Sequence, residues 1–85
     1  MPAKSLLLEK PAKKRLLKLP IHIHKRVIRA LETIRENPFI GIKLHGDLVD
    51  YYKFRVGDYR IVYSFNTKKG TVTVVKIEHR QGVYK

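Results

Sequence analysis

Lys53, Arg55 and Arg60 fall within one run of aromatic and β-branched residues, and His79, Arg80 and Tyr84 follow near the end of the chain. Together these side chains suit displacement at a phosphodiester. Guanidinium groups meet phosphate oxygens through paired hydrogen bonds, and ammonium groups add point charge. In RNA the ribose 2′-OH already sits beside its own phosphodiester. A protein that orients this hydroxyl, assists proton transfer and stabilises the extra negative charge of the phosphorane can therefore act through basic side chains alone. His79 and Tyr84 offer ring faces for an unstacked base, worth roughly 1–3 kcal/mol per stacked base. Among these residues, His79 alone has a reference pKa near neutrality. Each also has a plain structural role to set against this one. Lys53 and Arg55 can be solvated outer-face residues, Arg60 a cross-strand partner, His79 a strand end and Tyr84 a tail contact.

Other chemistries fit less well. Asp58 lies in a tight turn and Glu78 reads as a strand-edge charge, which leaves a paired-carboxylate hydrolase or a carboxylate metal site unsupported. His22 and His24 stand two apart at a helix start, where they diverge, and no third ligand is near in sequence; no metal or other cofactor is expected. The absence of cysteine removes disulfides, thiolate zinc sites and cysteine nucleophiles together. Nineteen Lys and Arg against seven Asp and Glu give a net charge of +12, shared by both halves of the chain, so a polyanion or an acidic protein is the expected partner. Apolar runs no longer than Leu6 to Leu8 predict a protein that is not embedded in a membrane and acts in the cytoplasm.

The positioning elements follow from periodicity. The 85 residues, 44% of them hydrophobic, suffice for one domain spanning 1–85 with one core. Ser5 to Leu8 reads as a first strand and Glu9 to Leu19 as a helix ended by Pro20. From Ile21 to Asn37, Ile23, Val27, Ala30, Leu31 and Ile34 recur at spacings of three and four, one apolar stripe that stops at Asn37-Pro38. Gly41 to Leu48 reads as a loop. Tyr51 to Val56, Tyr59 to Phe65 and Thr71 to His79, separated by Gly57-Asp58 and by Asn66 to Gly70, predict a three-stranded meander. Alternation puts Lys53 and Arg55 on one face, opposite Tyr52, Phe54 and Val56, and allows Arg60 to join them across the hairpin. In the last strand Val72 and Val74 share one parity while Val75 and Ile77 share the other. Lys76 and Arg80 are therefore not placed by parity, and a bulge near Val74-Val75 is one explanation. The fold class expected is α+β, an N-terminal helical hairpin packed on a twisted, mainly antiparallel four-stranded sheet.

The chain resembles the RelE/ParE superfamily of toxin–antitoxin toxins over nearly its whole length. The specific blocks are Tyr52-Lys53-Phe54-Arg55-Val56-Gly57-Asp58-Tyr59-Arg60-Ile61-Val62-Tyr63 and His79-Arg80 followed by Val83-Tyr84. Lys18-Leu19-Pro20, Glu36-Asn37-Pro38 and Lys43-Leu44 with Gly46 add weaker matches. The superfamily divides by activity. RelE-like members cut messenger RNA in the ribosomal decoding site, whereas ParE-like members poison DNA gyrase and lack the basic catalytic set. Here the RelE pattern is met by Lys53 and Arg55 as the basic strand pair, Arg60 as the transition-state arginine, Arg80 at the end of the last strand, and Tyr84 as the C-terminal tyrosine. Arg55 stands where some members carry lysine; its high pKa suits charge stabilisation rather than base catalysis, and the base is left unassigned.

The resemblance implies a ribosome-dependent endoribonuclease with Lys53, Arg55, Arg60, Arg80 and Tyr84 catalytic, and with Lys53, Arg55, His79, Tyr84 and Lys43 on the RNA. It implies as partners the ribosome, messenger RNA and a cognate acidic antitoxin that folds around the basic surface in a hetero-oligomer. Gyrase poisoning, or a basic RNA- or partner-binding module without catalysis, remains the alternative.

Overall fold

The computed structural model describes residues 2–44 and 50–80. In chain order the elements are strand β1 (Ser5–Leu8), helices α1 (Lys10–Lys18) and α2 (Ile21–Glu36), and strands β2 (Ile42–Leu44), β3 (Tyr51–Val56), β4 (Tyr59–Asn66) and β5 (Thr71–His79). The sheet has five strands in the order β1-β5-β4-β3-β2, and only the β1–β5 pair is parallel. Two helices on a mainly antiparallel sheet match the α+β expectation, with one correction to the strand count. Residues 42–44, expected within a loop, pair with β3 through Ile42 to Lys53, Lys43 to Tyr52 and Leu44 to Tyr51. Three residues between glycine-bearing segments are too few to display a two-residue alternation.

The helices end where backbone chemistry requires. The Leu19 N–H bonds the Leu16 carbonyl and Pro20 cannot continue α1, while the Asn37 N–H bonds the Thr33 carbonyl ahead of Pro38. Of the stripe on α2, Val27, Ala30, Leu31 and Ile34 are buried and Ile23 packs at the margin. Ala12 and Leu16 of α1 join them, whereas Leu17 stays 70% exposed. The opposing layer is the inward parity of the sheet: Tyr52 and Val56, Ile61 and Tyr63, and Val72, Val74 and Ile77. α1 packs mainly on β5 and α2 on β3, and His24 Nδ1 lies 3.0 Å from the Leu16 carbonyl oxygen where the helices meet.

Two details fix what the outer face presents. Val62 pairs with Lys76 and Tyr63 with Val74, so Val75 is the extra residue of a bulge in β5, at the place where parity breaks in the sequence. The β3–β4 turn is Gly57-Asp58, with Gly57 at φ +58° and no positive φ at Asp58. This is the pattern of a II′ turn, which suits the twist of a tight hairpin.

Tyr63 ties the edge strand to the core. Its ring is fully buried, its hydroxyl donates to the Pro38 carbonyl at 2.9 Å, and the Gly41 N–H donates to it at 3.0 Å. Any side chain at Gly41 would meet this hydroxyl, since a Cβ there falls 2.7 Å from Tyr63 Oη and 2.8 Å from the Lys53 carbonyl oxygen. Tyr63→Phe leaves both backbone partners unpaired, so a loss of about 1–3 kcal/mol is expected in denaturant unfolding. Burial raises the Tyr63 pKa above 10.0, so folding favours the neutral phenol. That contribution is full below pH 10 and lost as pH rises through the folded-state pKa. The wild type should therefore lose more stability than Tyr63→Phe does as pH rises above 10.

Candidate nucleic-acid interface

The outer parity of the sheet carries the basic set in register. Arg55 of β3 lies directly opposite Arg60 of β4, and Arg60 lies directly opposite Glu78 of β5. One step along, Ile42, Lys53, Val62 and Lys76 form the neighbouring row across four strands. Val62 is buried yet outside the core cluster.

Arg80 arrives by a backbone contact. Its N–H donates to the Asp58 carbonyl at 2.7 Å, pinning the end of the last strand to the β3–β4 turn. Lys53, Arg55, Arg60 and Arg80 consequently line one hollow of about 300 Å³, with Ile42 and the Gly57-Asp58-Tyr59 turn completing its wall. The Arg55 Nε–H donates to the Gly57 carbonyl at 3.0 Å, while the Arg60 Nε–H donates to Glu78 Oε1 at 2.7 Å. Two cations directly opposed on adjacent strands cost stability, which a sheet built for stability alone would avoid. Four cationic residues around one hollow suit an anion.

Not every sequence candidate is in that hollow. Lys43 has the parity opposite to Ile42, pairs in register with Tyr52, and its Nζ lies 3.1 Å from Asp50 Oδ2. The hydrogen bond and charge of Asp50 raise its pKa. The reading of Lys43 as an RNA contact is thus not supported by its position. His79 pairs with Tyr59 in register and meets that ring edge to face, centroids 4.8 Å apart, and is not among the residues lining the hollow. Tyr84 lies outside the described residues.

Sequence reasoning missed Glu78, which it took as a strand-edge charge, and Ile42, which is 66% exposed at the rim. Glu78 was legible once Val75 was taken as the extra residue, for Lys76 and Glu78 then share the parity of Arg60. Arg26 was also missed. It comes from α2, and a Cβ built on Gly57 would lie 3.2 Å from one of its terminal nitrogens, so this further cation rests against the turn. Among the described residues no three His, Cys, Asp or Glu are grouped to hold a metal ion.

Comparison with known proteins identifies the family and the fold. Residues 6–84 match the family model described as ParE toxin of type II toxin-antitoxin system, parDE. Toxin RelG of Mycobacterium tuberculosis is 29% identical over 76 residues, covering 87% of each chain. The archaeal RelE–RelB complex from Pyrococcus horikoshii OT3 superposes with a TM-score of 0.81 at 29% identity, covering 94% of this chain and 97% of that one. The toxin–antitoxin complex RelBE2 from Mycobacterium tuberculosis gives a TM-score of 0.78 at 28% identity, covering 94% and 93%. The isolated Escherichia coli RelE toxin gives 0.76 at 26% identity, covering 87% and 81%. With the fold, the basic sheet face and a family match that runs nearly end to end, the chain belongs to the ParE/RelE toxin family of type II toxin–antitoxin systems and is RelE-like.

Proposed function

We propose that this toxin cuts messenger RNA on the ribosome by attack of a ribose 2′-OH on the adjacent phosphodiester, without a metal. The observation that carries this reading is the convergence of Lys53, Arg55, Arg60 and Arg80 on one hollow. In the reaction the 2′ oxygen bonds to phosphorus and its proton leaves. The P–O5′ bond then breaks and the 5′ oxygen gains a proton, giving a 2′,3′-cyclic phosphate and a 5′-hydroxyl end. Charge on the phosphorane is highest between bond making and bond breaking, and guanidinium donors already aimed at it need no reorganisation then. Arg60 and Arg80 take that role. Lys53 and Arg55 hold the flanking backbone, and Tyr84 stacks on a base. The ribosome supplies RNA held in a reactive pose, which a chain of this size cannot do alone.

The partner proposed is an acidic antitoxin of the RelB kind, since several of the structural relatives are RelE–RelB complexes, and the two act in the cytoplasm. The matching family model carries the ParE description, so gyrase poisoning is the second reading. Mapping the 5′ ends of ribosome-bound messages after induction decides between them. New 5′-hydroxyl ends within reading frames are expected; DNA damage with messages intact would overturn the nuclease reading.

A further inference from the structure

We propose that Glu78 is a positioning residue for Arg60, setting the direction in which its guanidinium meets the reacting phosphate. The inference rests on the RNA-cleavage reading above. A carboxylate is out of place beside an anion site, because it repels the substrate, and its register makes its purpose legible. Arg60 is flanked by Arg55 on one side and Glu78 on the other. Repulsion from Arg55 would drive the Arg60 side chain away from the sheet. Arg55 is turned along its own strand to the Gly57 carbonyl, and Arg60 is turned across the sheet to Glu78 Oε1 at 2.7 Å. The pair is partly shielded, with 34% of the Arg60 side chain and 26% of the Glu78 side chain exposed. With Nε committed to Glu78, the donors on the two terminal nitrogens are left for an anion. One guanidinium edge is thus held by the protein and the other offered to phosphate.

The carboxylate acts in two opposing ways. Its charge weakens binding of ground-state RNA, while its hydrogen bond fixes the group that stabilises the transition state. Glu78→Ala removes both and Glu78→Gln removes the charge alone, since the amide oxygen still accepts from Arg60 Nε. In single-turnover cleavage of ribosome-bound message, Glu78→Ala is expected to lower the rate at saturation about tenfold without weakening RNA binding. Glu78→Gln should keep most of that rate and bind RNA more tightly. In an Arg60→Ala background, Glu78→Ala should bring no further loss. The Arg60 Nε–H resonance should be protected from exchange in the wild type and Glu78→Gln, and lose protection in Glu78→Ala.

Equal damage by Gln and Ala, or losses that multiply with Arg60→Ala, would mean that Glu78 acts on the proton itself and overturns the proposal. A lowered melting temperature with an unchanged rate would overturn it as well. Unaltered cleavage by Arg60→Ala would take Arg60 out of the reaction and overturn the proposal, whereas no cleavage by the wild type would sink the nuclease reading, leaving the Nε–H resonance to judge the contact alone.

Discussion

Arg60→Ala is expected to slow cleavage of ribosome-bound message by about 10²–10³, with the fold intact. Arg60 sits between Arg55 and Glu78 and lines the hollow from a central strand of the sheet, so its backbone is held on both sides. Its side chain is partly exposed on the outer face, away from the core cluster, and truncation opens no cavity in that core. The ion pair with Glu78 is partly solvated, so losing it should cost no more than about 1 kcal/mol of stability. The rate suffers more because the substitution removes a donor to the phosphorane and also leaves the Glu78 carboxylate facing the phosphate unneutralised. Arg60→Lys should recover part of the rate, since charge returns without the planar pair of donors. Single-turnover rates at saturating toxin, beside thermal unfolding of the same proteins, check this. A rate within threefold of wild type for a folded Arg60→Ala would remove Arg60 from the reaction.

What the sequence disclosed depended on how many periods each element shows. The bounds of β3 and β5 were legible to the residue because long alternating runs abut a Gly-Asp turn and a glycine-closed loop, and β4 runs one residue further, to Asn66. The four converging cations were legible in part: Lys53, Arg55 and Arg60 by parity, and Arg80 by residue type and family resemblance, with its facing left open by parity. The backbone bond from Arg80 to Asp58 that brings it in has no signature in side-chain types. β2 was not legible, and that obscured both Ile42 and Lys43. Once three residues are seen to be a strand, adjacent positions must face opposite ways, so Ile42 reaches the hollow and Lys43 does not. His79 follows the same rule, falling on the Tyr59 side while its neighbour Glu78 reaches Arg60. Two leucines side by side on α1 likewise said nothing of which was core; Leu16 is buried and Leu17 exposed because only one can face β5.

Salt dependence separates a focused anion site from a diffusely basic surface. For single-stranded RNA the slope of log K against log salt is about −0.7 per phosphate contact. Four contacts, from Lys53, Arg55, Arg60 and Arg80, give a slope of roughly −3, so a short RNA with a 2′-deoxy block at the cleaved position should lose about 50-fold in affinity between 50 and 200 mM salt. If the whole net charge of +12 were neutralised instead, the slope would pass −8 and the same change would cost about 10⁵-fold. These figures are far enough apart for a titration on uncut RNA to decide. Arg80→Ala should reduce the slope by about 0.7 and the loss to roughly 20-fold, while a helix lysine such as Lys14→Ala should leave both unchanged. A steep slope that falls equally for either substitution would show that the helices carry as much of the contact as the hollow does. The reactive phosphate would then be positioned by the general field of the protein rather than by the register of its strands.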